Sequence, residues 1–258
     1  MRPAKAPFPL ALCALSLLGL TLPTPAHAGR KAFNRVFDNE VLPARIVEMQ
    51  AQVTDTFGAP SGTDLTAVWW AAAFGLSNNV ELSLPIKVTN ARVPETGASS
   101  TFLDSYGADL RWRIAKKGPP PGPWHPVPLL RLIVEKPLAT ATVNFEGDAV
   151  VGTDLSKWVH SSAMIGVASS SAAFTGAGAT KVTGGFGAVA NITGSWRAGG
   201  EVYAEVPVMP AGGVPTVTAG PDLSFTLGPF WVSAGSLFGF GDKRPYTASA
   251  RLLWGAEL

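Results

Sequence analysis

The sequence predicts an all-β chain folded as a transmembrane, antiparallel up-and-down β-barrel of about twelve strands, with ten as the alternative. Three observations carry this expectation. Segments of roughly ten to thirteen residues alternate apolar and polar side chains, while helical i, i+3, i+4, i+7 spacing is hard to find. Such segments exceed the about five or six residues usual in soluble strands and suit a tilted bilayer crossing. Aromatic residues also stand near segment ends (Trp112, Trp231, Phe240, Tyr246, Trp254), as in the girdles at membrane interfaces.

The chain opens with Arg2 and Lys5, an apolar run over Leu10–Leu22 and a small-x-small site at Ala26-His27-Ala28. This is the pattern of a cleaved secretory signal peptide over 1–28. Its removal takes away Cys13, the only cysteine, so disulfides, thiolate zinc sites and thiol nucleophiles are excluded from the mature chain. Two of the 20 basic residues leave with it, and the rest balance the 18 acidic ones. No basic excess remains for a nucleic-acid backbone. Residues 29–43 are expected to be an N-terminal periplasmic lead-in, and 44–258 the barrel. Beyond the leader no apolar run is convincing as a spanning helix of about 20 residues.

The first strand is expected in "ARIVEMQAQVTDT" (44–56), with Val47, Met49, Ala51 and Val53 on one face and Glu48, Gln50, Gln52 and Thr54 on the other. "LTAVWWAAAFG" (65–75) is apolar on both faces. After the turn "LSNN", "VELSLPIKVT" (80–89) sets Val80, Leu82, Leu84, Ile86 and Val88 against Glu81, Ser83, Lys87 and Thr89. A polar loop is expected over 91–101. Then "SYGADLRWRIAKK" (105–117) sets Tyr106, Ala108, Leu110, Trp112 and Ile114 against Asp109, Arg111 and Arg113. The proline-rich turn 118–126 leads to "VPLLRLIVEK" (127–136), and "SKWVHSSAMIGV" (156–167) reads as a further strand. Two hairpins follow, 181–193 with 197–208 and 216–227 with 231–241, and "YTASARLLWGAEL" (246–258) closes the chain. That makes eleven strands. Single-chain barrels are even-numbered, so a twelfth is expected within 137–180, with "ASSSAAFTG" as its candidate.

Alternating strands also build soluble sandwiches and lipocalin-like barrels, with the apolar face inward. Strand length, and short turns alternating with long polar loops, favour the inverted arrangement, with Trp112, Trp231, Tyr246, Leu252, Trp254 and Leu258 towards lipid or its interfaces. A strand lasting to the final residue fits this picture. It must pair with the first, because an open edge would leave unsatisfied N–H and C=O groups in hydrocarbon.

"FGLSNNVELSLP" (74–85), "YGADLRWRIAKK" (106–117), "GGEVYAEV" (199–206) and the closing strand resemble the outer-membrane barrels of the MetA-pathway-of-phenol-degradation, or transporter, family. The closing strand is also similar to the C-terminal signal read by the bacterial barrel-assembly machinery, with Leu258 where Phe is usual. The family resemblance implies about twelve strands, residence in outer-membrane lipid and passage of small hydrophobic compounds. It implies no catalytic residue.

No enzyme, cofactor or metal site is expected. The mature chain has two histidines, His125 in a Pro-rich turn and His160 beside Ser161 and Ser162, and neither G-x-S-x-G nor H-E-x-x-H occurs. The polar faces collect Glu48, Glu81, Lys87, Asp109, Arg111, Arg113, Arg131, Glu135, Glu201, Glu205, Arg251 and Glu257. These can pair to fill a narrow interior or form rings that select permeants. Arg111 and Arg113 are the constriction candidates, with Glu201 and Glu205 as partners, and loop 91–101 or segment 137–155 as closing elements. The expected function is a narrow outer-membrane channel for small solutes. A sealed-lumen scaffold or binding protein is the alternative, and a soluble exported lipid- or sugar-binding β-domain is third.

Overall fold

The computed structural model describes residues 32–33, 35–59, 61–114, 124–210, 213–241 and 246–258. The expected signal peptide lies outside the described residues. Twelve strands occur among the described residues: β1 (Val47–Phe57), β2 (Asp64–Ser77), β3 (Val80–Arg92), β4 (Ser99–Arg113), β5 (Val127–Pro137), β6 (Asn144–Asp154), β7 (Val159–Ser170), β8 (Thr180–Asn191), β9 (Trp196–Met209), β10 (Thr216–Leu227), β11 (Phe230–Phe240) and β12 (Ala248–Glu257). Each pairs antiparallel with its sequence neighbour, and β1 pairs with β12 to close the barrel. Closure runs to the last residue, where the Leu258 N–H donates to the Val47 carbonyl at 2.8 Å. The full-length alternation of the C-terminal stretch exists because β12 completes the wall.

The chain enters β1 and leaves β12 at the same end of the barrel, called here the near end. Polar side chains at alternate positions point inward and apolar ones outward. Met49, Leu84, Ile86, Leu110, Trp112, Leu130, Leu132, Ile165, Val202, Val206 and Leu252 all stand exposed on the outside. Glu48, Glu81, Asp109, Arg111, Asp148 and Glu201 are buried inside. β2, apolar on both faces, turns Trp69 inward and Trp70 outward, because Trp69 pairs with Gln52 and Lys87 and Trp70 with Ala51 and Ile86.

The twelfth strand is β6 rather than the expected "ASSSAAFTG". That stretch ends β7 and continues into a short 3-10 helix, Ser171–Thr175. β6 escapes a pattern search because its outward face carries Gly147 and Ala149, while its inward face carries the apolar Val150. Neither expected closing loop exists as such. β3 and β4 reach Arg92 and Ser99, leaving a six-residue connection, and 137–155 is largely strand.

Two aromatic residues expected at the lipid interface lie inside. Trp231 is 3% exposed, pairs with the inward Gly255, and donates its indole N–H to Glu48 at 2.9 Å. Tyr246 is buried at the far end, within the electrostatic reach of Arg35 and Arg251. The sequence places Trp231 at a strand end but hides that its pairing partner has no side chain. A Cβ at Gly255 would stand 2.6 Å from the indole, so glycine makes the slot for the ring.

The facing of β12 is testable. Leu252, mid-strand and outward beside Val53 and Ala234, should tolerate charge badly. Leu252→Arg is expected to lower stability in lipid by about 2–4 kcal/mol. Thr247→Arg, at the exposed far end, should cost much less. Urea titration of the barrel in bilayers measures both.

Candidate functional site

Residues 32–33 and 35–43 do not trail away from the near end as a lead-in. They cross the lumen and dock on its inner wall. From β1 backwards, the Leu42 N–H donates to Glu81 at 2.9 Å. The Asn39 amide donates to the carbonyls of Val127 and Gly152, each at 3.4 Å. Asp38 meets His160 Nε2 at 2.9 Å, and the Phe37 carbonyl accepts from Ser162 at 2.6 Å. At the opposite wall the N–H groups of Arg35 and Val36 both donate to Glu201, at 2.7–2.9 Å. The segment thus bridges β3 to β9.

This plug forms the apolar core of the barrel. Ala32, Phe33, Val36 and Val41 cluster with the inward Leu129, Val150, Met164, Val189 and Tyr203, and Phe37 packs against the cluster. The wall is cut to receive it. A Cβ on Gly187 would stand 2.5 Å from the Phe33 ring, one on Gly185 2.8 Å from Val36, and one on Gly152 2.5 Å from Asn39. All three glycines face inward, and each marks a place where the plug lies against backbone.

The charged wall residues pair around the plug. Arg131 binds Asp109 through Nε and Nη2 (3.0 and 2.9 Å), reaches Asp148 at 3.2 Å, and covers the Phe37 ring with its guanidinium carbon 3.5 Å from the centroid. Arg111 lies 3.3 Å from Asp109 and 3.8 Å from Glu81. Lys87 pairs with Asp104 at 2.9 Å and stands 3.9 Å from Glu135, which also accepts from Ser105. A cavity of about 140 Å³ remains beside this group, lined by Trp69, Lys87, Ser105, Arg131, Ile133 and Glu135.

The expected constriction is not assembled. Arg113 reaches the Asn78 carbonyl at 2.7 Å at the near rim, while Arg111 is engaged by Glu81 and Asp109. Glu201 and Glu205 partner neither arginine, because they lie on β9, across the lumen. They hold the plug instead, Glu205 pairing with Arg35 at 2.8 Å and with Lys181 at 2.9 Å. Arg251 projects into the same region, in the field of Glu201 and Asp222. Glu48 accepts from Gln50 and Trp231.

Sequence reasoning missed Arg35, Phe37 and Asp38, and undervalued His160. His160 is buried with Nδ1 2.8 Å from Asp154 and Nε2 2.9 Å from Asp38. Only an imidazolium donates from both nitrogens. Ser162, its neighbour in sequence, donates to Phe37 instead. The one available signal was the composition of 32–43, where Phe33, Val36, Phe37, Val41 and Leu42 are too apolar for a solvated leader.

No protein-family model matches the chain, and no curated protein matches it in sequence. Solved structures match in fold. The NanC porin shares 8% identity at a TM-score of 0.55, covering 81% of this chain and all of that one. An outer-membrane channel from Pseudomonas putida F1 shares 8% at 0.54, covering 86% and 98%. The translocator domain of the autotransporter NalP from Neisseria meningitidis shares 10% at 0.55, covering 85% and 90%. The common feature is the closed antiparallel β-barrel wall.

Asp38 gives the docked plug a pH dependence. Burial pushes its pKa up, but the charge and hydrogen bond of His160, with the Asn39 N–H, outweigh this and hold it below the ordinary 3.8. A depressed carboxylate contributes stability that is complete above its ordinary pKa and lost as pH falls through the lowered one. Protection of the amides of Phe37 to Asn39, taken relative to their intrinsic exchange rates, should therefore hold from neutral pH down to about 4 and fall below it. Asp38→Asn should speed exchange there about tenfold or more at neutral pH, as expected from the about 1.5–3 kcal/mol of a charged hydrogen bond.

Proposed function

We propose that this chain is an exported, integral barrel of the bacterial outer membrane that works as a narrow channel, with the plug of residues 32–33 and 35–43 closing the lumen until it moves aside. The apolar outer face and polar lumen support the membrane reading, as does the fold shared with outer-membrane channels.

The observation that carries the channel over the sealed scaffold is how the lumen is filled. Wall side chains alone can pack a small barrel shut. Here the wall withdraws to glycine at 152, 185 and 187, and a separate non-strand segment occupies the space. Hydrogen bonds, ion pairs and the apolar cluster around Phe33, Val36 and Val41 hold it, so water can replace the polar contacts while opening must also uncover that cluster. The lining of the cavity beside Lys87, with Arg131 and Glu135, supports small polar or charged solutes more than the hydrophobic compounds the family resemblance implies.

Planar-bilayer recording tests the proposal. The parent chain should be mostly closed. Gly185→Leu with Gly187→Leu, which pushes side chains onto Val36 and Phe33, should raise open probability about tenfold or more, on the order of 1.4 kcal/mol of lost docking. Folded variants as silent as the parent would leave the sealed scaffold standing. A chain that folds and stays monodisperse without detergent would establish the soluble reading.

A further inference from the structure

β9 presents Glu201, Tyr203 and Glu205 to the lumen at three successive inward positions. Arg35 lies along this row. Its Nη2 is 2.8 Å from Glu205 Oε1, its guanidinium carbon is 4.4 Å from the centre of the Tyr203 ring, and its own N–H donates to Glu201. Lys181 takes the other oxygen, Glu205 Oε2, at 2.9 Å. A planar cation thus meets a carboxylate at its edge and an aromatic ring at its face. This chemistry recognises guanidinium and alkylammonium groups.

The position fits a site for solutes as well as for the plug. The backbone of the plug sits on Glu201, and the guanidinium reaches along β9 towards the far end. The side chains of Arg35 and Glu205 keep 28% and 21% exposure, so this part of the row opens to the lumen. Around it stand Lys181 and Arg251 against Glu201, Glu205 and Asp222, while Glu146 lies beside Arg131, which also serves Asp109 and Asp148. Without the Arg35 guanidinium the carboxylates of this row are in excess.

We propose that the Glu201–Tyr203–Glu205 row is a binding site for small organic cations bearing guanidinium or alkylammonium groups, with Arg35 as its built-in occupant. Its role in gating rests on the channel reading: a solute cation that takes the row displaces the guanidinium and loosens that end of the plug. The chemistry of the site does not depend on conduction.

The test uses the full-length chain carrying Arg35→Ala, titrated with methylguanidinium by calorimetry in detergent, with sodium chloride as control. Saturable binding is expected, at least tenfold tighter than to the parent, where the occupant competes. In the same background Glu205→Gln or Tyr203→Leu should weaken it at least tenfold. Tyr203→Phe, which keeps the ring, should retain it and guards against a folding defect in the other two. Absence of saturable heat in Arg35→Ala overturns the proposal, as does binding indifferent to both Glu205→Gln and Tyr203→Leu. Methylguanidinium binding in a barrel that never conducts would sink the channel reading alone. A conducting barrel without such binding would sink the cation site alone.

Discussion

A carboxylate removed from water must be given proton donors, and this constraint organises the interior. Glu48 and Glu81 are completely buried and Glu201 nearly so. An unpaired charge in such a place costs several kcal/mol, roughly. The wall itself satisfies Glu48 through Gln50 and Trp231. Glu81 and Glu201 instead receive backbone N–H groups from Leu42, Arg35 and Val36. Wall and plug therefore complete each other's polar contacts around the apolar cluster they share.

That dependence accounts for details that look unrelated along the chain. Gly152, Gly185 and Gly187 sit where the plug needs room. The apolar inward residues Leu129, Val150, Met164 and Val189 break the polar-in rule where Phe33, Val36 and Val41 must be covered. Arg131 does two jobs, neutralising Asp109 and Asp148 while lying flat on the Phe37 ring. On β10 and β11 the buried wall positions include Ser224, Thr226 and Ser233.

Most of the wall was legible because a period of two is a strong signal when one face meets hydrocarbon and the other a polar lumen. The alternation in β3, β4 and β9 matches the observed facing, down to Arg111 inward beside Trp112 outward, and in the closing stretch it holds from Ala248 onwards but not at Tyr246. The pattern blurred in β6, whose inward Val150 answers the plug rather than water. It failed at Trp231, where an aromatic turns in to serve Glu48. Alternation also tells which face a charge occupies but not its position around the circumference. Glu201 and Glu205 were therefore matched to arginines on the far wall, and their real partner, Arg35, stood in a segment with no period to read.

The plug is joined to β1 through Pro43–Ile46, where the Ile46 N–H donates to the Pro43 carbonyl and Arg45 to Gly75. A ligand on so short a tether never dilutes. Its effective concentration at its own docking site is on the order of millimolar, set by chain length rather than by cell volume. In the gating proposed above, an opening solute would work against a fixed local supply of competitor. Brief undocking would be erased by recapture, and a lasting opening would require a solute plentiful enough to hold the vacated wall. The tether would thereby raise the solute concentration at which the barrel responds.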